Sequence, residues 1–406
     1  MRSINQDLDL LRLAVARRRR ILVSLVTLVL GTTSVVVEAR ECPAVVVGTN
    51  DPATDVLNIQ QAVDGCASVR LQGKFSFAGM STGEPLRVIT LRRSVNIAGQ
   101  LDDRGGMPQI VGGTTPLLVD APGAIVRIRG LRFVRPVSRA IQVGSAMDAV
   151  VANCVIEAVE PVTIGDLTVA FGIVGGGPFE SPINRLVVVD NTIADSSEPV
   201  EVGVILTPSS RAIGSLTISR NNIRATAHGI DLRFVGGNAQ VKDNRITIDN
   251  SDRTGDPGPP PRFVDGIRCW GAGACSIVGN WIVSHHPNSS GVRLQAAAGA
   301  IVEYNSIRML PPGGLTPGAQ SSGVQLIEDS KRNLIGRNRI SGAALTAFSV
   351  SGPVPLVPAD NVLVLNQHPG FVPSFVDSEI GEGALRTVVV SESGSIADLG
   401  TGSVVR

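Results

Sequence analysis

The chain has 406 residues, 43% of them hydrophobic and only 17% charged, with 45 Gly and 25 Pro. That composition describes buried strands broken by frequent turns, and it excludes a disordered chain. With 36 Lys and Arg against 35 Asp and Glu the formal net charge is +1, which excludes the bulk field that recruits nucleic acid or anionic lipid. Aromatic residues make up 3%, which argues against a glycan groove lined by aromatic platforms.

Residues 1–20 end in a run of four arginines, and Ile21 to Val37 is an uncharged, mostly apolar stretch followed by Glu38 and the small residue Ala39. This order predicts a secretory signal over residues 1–39, cleaved after Ala39, and a secreted protein. An uncleaved membrane anchor is the alternative reading, since the apolar run is at the short limit for a span. All five cysteines follow the cut, in an oxidising setting. Cys42 and Cys66 bracket a helical pattern and are the expected disulfide. Cys269 and Cys275 flank a short turn and either pair or stay as buried thiols, and Cys154 reads as a small core residue. Cys269, Cys275, His285 and His286 fit the spacing of no common zinc module.

From Asp51 the chain reads as a capped amphipathic helix, with Thr54 or Asp55 as cap and Val56, Ile59 and Val63 on one face. Residues 40–68 are therefore expected to form an N-terminal cap. Short alternating strands punctuated by Gly, Pro and Asp follow.

A repeat then becomes explicit. One motif, apolar-x-x-Asn-x-apolar, falls at Asn153, Asn191, Asn221, Asn244, Asn280, Asn305 and Asn338. A second, Gly-apolar-x-apolar, falls at Gly203, Gly229, Gly266, Gly291 and Gly323, with degenerate versions from Ala140 and Ala347. From the second motif to the next Asn the step is tight: 229 to 244, 266 to 280, 291 to 305 and 323 to 338 are 15, 14, 14 and 15 residues. From Asn to the next glycine it ranges from 8 (221 to 229) to 22 (244 to 266). A rigid half-coil thus alternates with a corner that accepts insertions, as in a solenoid with loops along one edge. Residues 251–263 and 310–322 read as such loops, and a third insertion, 170–184, falls elsewhere in the coil. An Asn suits a left-handed corner, and stacked coil on coil its amide can donate to one neighbour and accept from the next.

These features resemble the pectate-lyase-like right-handed parallel β-helix superfamily: the helix resembles its N-terminal cap, and the Asn motif its internal Asn ladder. The resemblance covers residues 44–406 and implies an all-β fold, a single-stranded right-handed parallel β-helix over 69–406 behind an N-terminal α-helical cap. The superfamily holds lyases, hydrolases, epimerases, adhesins and inert scaffolds, so the fold alone assigns no activity.

Two outward columns beside the insertion corner carry chemistry. The outward residue of the glycine strand gives Ile205, Asp231, Arg268, Arg293 and Gln325; the residue before each glycine gives Val202, His228, Asp265, Ser290 and Ser322. Asp231, Asp265 and His228 are the candidate catalytic groups, and Arg268, Arg293 and Gln325 the candidate substrate binders. Arginines suit the carboxylates of an acidic polysaccharide, while an Asp or His suits proton abstraction and two carboxylates suit glycoside hydrolysis. The plainer reading is an Asp–Arg ladder on a solvated face. The chain has no Asp-Pro-His run as in alginate epimerases, no Arg-x-Pro-x-x-Arg as in pectate lyases, and no Asn-Thr-Asp with a downstream Gly-His-Gly as in polygalacturonases. No cofactor is implied; Asp102 and Asp103 read as turn residues, with calcium as the lesser reading. The expected function is a secreted, monomeric carbohydrate-binding protein, a polysaccharide lyase or glycoside hydrolase if it is an enzyme. The alternative is a non-catalytic surface, scaffold or adhesion protein.

Overall fold

Each turn of the chain here lays a short strand directly against the equivalent strand one turn later. The computed structural model describes residue 42 and residues 45–405, apart from 78–87, 165–166, 177–181, 195–199, 207–212, 250–263, 311–320, 345, 352–357, 369–370, 374–377, 382–383, 391–395 and 399. The expected signal segment, most of both Pro/Gly-rich insertions and part of the third therefore lie outside the described residues. From Cys42 onward the chain is one unit. Its strands join a long parallel sheet in which each pairs with its equivalent in the coils before and after. The fold is a right-handed parallel β-helix, the hand that parallel crossovers take. The exception among the described strands is a small antiparallel pair, Val162–Ile164 with Leu167–Val169.

The cap is a helix, Pro52–Gly65. Its N-cap is Asp51, whose carboxylate accepts from the Thr54 amide at 2.9 Å, and not Thr54 or Asp55 as the pattern suggested. Pro52 explains the shift: its fixed φ and missing N–H suit the first helical position, which leaves Asp51 as the last residue outside. Asp55 is instead fully buried, accepting from Thr49 N and Oγ1 at 2.7 and 2.9 Å and from Ser76 N at 2.7 Å. It ties the helix to the first coils. Ile59 and Val63 are buried against the solenoid core, with Val56 at its margin. A disulfide joins Cys42 to Cys66 just past the helix, and another joins Cys269 to Cys275. Cys154 is a buried free thiol, pushed up to about 12 by burial although three backbone contacts pull the other way.

The interior is a column of aliphatic residues running the length of the solenoid, and two internal ladders fix its register. Asn191, Asn221, Asn244, Asn280, Asn305, Asn338 and Asn366 stack in successive coils. Each Oδ1 after the first accepts from both the backbone N–H and the Nδ2 of the Asn before it, at 2.9–3.0 Å. A shorter ladder, Asn333 to Asn361, occupies another corner. Asn153 is not a rung: Cys154 holds that place, its N–H donating to Asn191 Oδ1 at 2.9 Å. The corner divides two jobs that the sequence reading gave to one residue. The left-handed backbone falls on the residue before each rung: Asn153, Asp190, Arg220, Asp243, Gly279, Tyr304, Arg337 and Leu365. The rung itself points inward. Tyr and Leu are poor left-handed residues alone, so the surrounding ladder holds them there.

The glycines form a second column with a steric cause. A Cβ on Gly203, Gly229, Gly266 or Gly291 would lie within 2.6 Å of the next glycine's carbonyl oxygen, and it would also meet Cγ2 of the isoleucine two residues past an Asn rung. Ala140 and Ala347 close the column at its two ends. Gly266→Ala should therefore lower stability by about 1–3 kcal/mol through overpacking. Asn280→Ala, which strands both Asn244 donors and removes one of the two donors to Asn305 Oδ1, should cost at least ~2 kcal/mol. Urea unfolding of both variants, with Gly273→Ala as a control whose added methyl meets nothing closer than 4.0 Å, checks both values.

Candidate functional site

The strand that follows the insertion corner positions every candidate residue. In register, Val202, His228, Asp265, Ser290, Ser322 and Thr346 form one outward column, and Ile205, Asp231, Arg268, Arg293, Gln325 and Ser349 the other. The structure thus places the six candidates side by side on four consecutive coils. Upstream the same columns are apolar: Val174, Val202 and Ile205 form a small buried cluster with Phe171 against it. The face changes from apolar to charged between the strands Val200–Leu206 and Asn222–Arg233.

The charged face is not solvated. Asp231 and Asp265 have 0% exposure, Arg293 3% and His228 7%. Asp265 accepts from Arg293 Nε at 2.7 Å, and its other oxygen faces His228 Nδ1 at 3.3 Å. Arg293 continues to Ser290 Oγ at 3.3 Å, and Ser290 donates to Gln325 Oε1 at 3.2 Å. Asp231 accepts from Arg233 at 2.6–2.7 Å, while Arg268 Nε stands 3.7 Å from its other oxygen. Arg268 Nη1 lies 3.4 Å from His228 Nε2. A guanidinium can only donate, so in this contact Nε2 accepts and Nδ1 carries the hydrogen that faces Asp265.

Four buried atoms face each other in pairs without a well-aligned hydrogen bond: His228 Nδ1 with Asp265 Oδ2, and Arg268 Nε with Asp231 Oδ1. The Arg268–Asp231 pair is one of opposite charges across adjacent coils, and the His228–Asp265 pair sets an N–H toward a carboxylate. Burial acts to raise the Asp265 carboxyl, but Arg293, His228 and Arg268 outweigh it and hold it below the ordinary carboxylate range. Such a carboxylate is a weak base and is not available as an acid at neutral pH.

Sequence reasoning missed Asp231's main partner, Arg233, although a residue two positions along a strand shares its face. It also missed an aromatic pair at the strand end. Phe234 and Trp270 pack with their ring centres 5.0 Å apart and their planes tilted by 45°, and the Arg268 guanidinium lies 4.7 Å over Trp270. Two further arginines cover aromatic rings at the Asn corner: Arg245 on Trp281 at 4.5 Å and Arg337 on Tyr304 at 5.5 Å.

Elsewhere, His286 helps build its own turn, its Nδ1 accepting from Asn288 N at 3.1 Å. Asp102 Oδ1 accepts from the amides of Arg104 and Gly106 at 2.9 and 2.6 Å. Among the described residues no group of three or more His, Cys, Asp or Glu is placed to hold a metal ion, and no helix is long and apolar enough to cross a membrane.

The geometry defines a parallel β-helix with a buried charged face on one side of the coils, and the structural comparisons agree on the fold. No protein-family model and no curated protein matches the chain. Two structures of PfbA, a surface protein and adhesin of Streptococcus pneumoniae, are similar to it, each with a TM-score of 0.50. One has 10% identity over 79% of this chain and 95% of PfbA; the other has 13% identity over 83% and 91%. The A-module of the mannuronan C-5 epimerase AlgE4 from Azotobacter vinelandii aligns at 14% identity over 82% of this chain and 96% of its own, with a TM-score of 0.38.

The Asp265 pair sets a pH dependence. Its carboxyl lies lower in the folded state than the ordinary value of about 3.9, so its contribution is complete above about pH 4 and is lost as pH falls through the folded value. Asp265→Asn removes the carboxylate that buried Arg293 binds and should cost roughly 3–5 kcal/mol at neutral pH. Unfolding measured from pH 6 to pH 2 should show wild type losing more stability on acidification than the variant; parallel curves would count against the pair.

Proposed function

We propose that this chain is an extracytoplasmic, non-catalytic β-helix protein whose outer surface binds acidic polysaccharide. The observation that carries the proposal is the state of the two candidate carboxylates: both are fully buried and each is engaged by arginine, Asp231 by Arg233 and Asp265 by Arg293. A lyase base or a hydrolase acid must reach a sugar, and neither carboxylate is exposed to one. His228, Asp231 and Asp265, with Arg268, Arg293 and Gln325, then act as a charged ladder that locks neighbouring coils together.

Binding is supported by the arginines that remain near the surface beside aromatic rings. Exposed Trp281, with Arg245 over its ring, offers a flat face and positive charge together, the combination that suits an anionic sugar chain; at Tyr304 the covering Arg337 is itself paired with Glu303 at 3.3 Å. The two disulfides support an oxidising compartment. With them goes the reading of residues 1–39 as an export signal, 40–68 as the cap and 69–406 as the solenoid, acting as a secreted monomer without a cofactor. The cap helix and the Asn ladder support placing the chain in the pectate-lyase-like superfamily. PfbA is itself described as a surface adhesin, and adhesion through glycan fits the same surface.

The test is affinity electrophoresis of the mature chain through polygalacturonate, alginate and neutral dextran, with product assays on the same mixtures. We expect retarded migration in the acidic polymers alone, with neither unsaturated products nor new reducing ends. Products formed by wild type and abolished by Asp265→Asn would overturn the non-catalytic reading.

A further inference from the structure

We propose that a cleft beside the cap, between Arg70 and Arg129, is the site that takes the anionic groups of the polysaccharide; this rests on the binding reading above. The cleft measures about 390 Å³ and is lined by Arg70, Ala98, Gly99, Gln100, Arg129, Gly130 and Asn153. It lies at the Asn corner of the first coils, away from the insertion corner and its buried charges.

It follows a row of corner positions of which two are glycines. Gly99, Gly130 and Asn153 are in register with one another and with the corner residues of later coils. Those later positions carry Asp190, Arg220 and Asp243, with Arg220 bound to Asp190 at 2.7 Å. At 99 and 130 there is no side chain: a Cβ at 99 would collide with the Gly130 carbonyl and Pro108, whereas one at 130 would meet nothing closer than 3.6 Å. One residue earlier, Arg70, Ala98 and Arg129 stand in register on consecutive coils. At ~4.8 Å per coil the two guanidinium-bearing residues are roughly 10 Å apart across the small Ala98, which leaves a slot with a cation on either side.

The polar groups of the lining are suited to an anion. Arg70 and Arg129 are exposed and make no ion pair or side-chain hydrogen bond among the described residues. Neighbouring arginines differ: Arg127, Arg132 and Arg135 are bound to Asp148, Glu157 and Glu160 at 2.6–2.8 Å. Gln100 holds a buried side-chain oxygen with no partner, and its amide can present either end to a ligand. Asn153 supplies a second amide, and among the described residues no carboxylate lines the cleft. Two unpaired guanidinium groups and two amides form a donor set for carboxylate or sulfate groups spaced along an extended sugar chain. The shallow, open form suits a polymer lying across it.

The experiment measures binding of polygalacturonate, dextran sulfate and neutral dextran by the full chain, its Arg70→Gln/Arg129→Gln variant and Ala98→Glu, which puts a negative charge in the slot without touching either arginine. Thermal unfolding confirms that each variant is folded, and Arg220→Gln controls for loss of positive charge elsewhere on the corner. We expect wild type and Arg220→Gln to bind polygalacturonate alike, both cleft variants to bind at least about tenfold more weakly, and neutral dextran not to bind. Dextran sulfate binding that falls in the same variants would support a site for anionic sugars in general. Unchanged binding in both cleft variants would overturn this site while leaving the polysaccharide reading in place. Absence of wild-type binding to either acidic polymer would overturn both.

Discussion

The interaction on which this structure depends is the parallel, in-register stacking of one coil on the next. A single coil buries too few aliphatic residues to offset the entropy of ordering its backbone, so each is stable only as the neighbour of another. Stacking also turns every sequence position into a column. An inward Asn becomes a ladder of amides, a glycine becomes a channel for the next strand, and an outward Asp meets the outward residue of the adjacent coil. The same repetition that builds the core therefore builds the surface.

Columns explain why the charged face reads as architecture. Across neighbouring coils Asp231 faces Arg268 and Asp265 is bound by Arg293, and these groups and His228 are largely withdrawn from water. In that setting a carboxylate needs its arginine, and an arginine such as Arg293, 3% exposed, needs its carboxylate. The charges that remain available for a partner lie beside glycines 99 and 130 and at Arg245, over the exposed ring of Trp281.

Much of the fold was legible because a solenoid writes its period into the chain. The tight step from glycine to asparagine and the variable step back locate the strands, the rungs from Asn191 to Asn338 and the insertion corner. The register that brings His228 beside Asp265 and Asp231 beside Arg268 follows from the same spacing. What escaped was local. Asn153 looks like a rung, yet it takes the left-handed corner and Cys154 takes the rung, because the motif does not say which of two adjacent residues turns inward. Asn366 and the Asn333–Asn361 ladder fall outside the motif. Pro52 moved the helix cap to Asp51. The burial of Asp231 and Asp265 could not be read from alternation, which separates inward from outward but does not report what covers an outward group. The cleft was hidden for a related reason: Gly99 and Gly130 look like turn residues, and only stacking sets them beside each other with Arg70 and Arg129 one residue earlier.

A double-mutant cycle on Asp265 and Arg293 tests the central claim, that the charges of this face hold the coils together. Asp265→Asn, Arg293→Gln and the combined variant would be compared in urea unfolding, with polygalacturonate binding measured on each. The account predicts that the double variant loses less stability than the sum of the single losses, with a coupling on the order of 1–3 kcal/mol, and that binding is unchanged in all three. Additive losses of stability, or binding abolished by either substitution while stability is preserved, would contradict it and return these residues to the role of a ligand site.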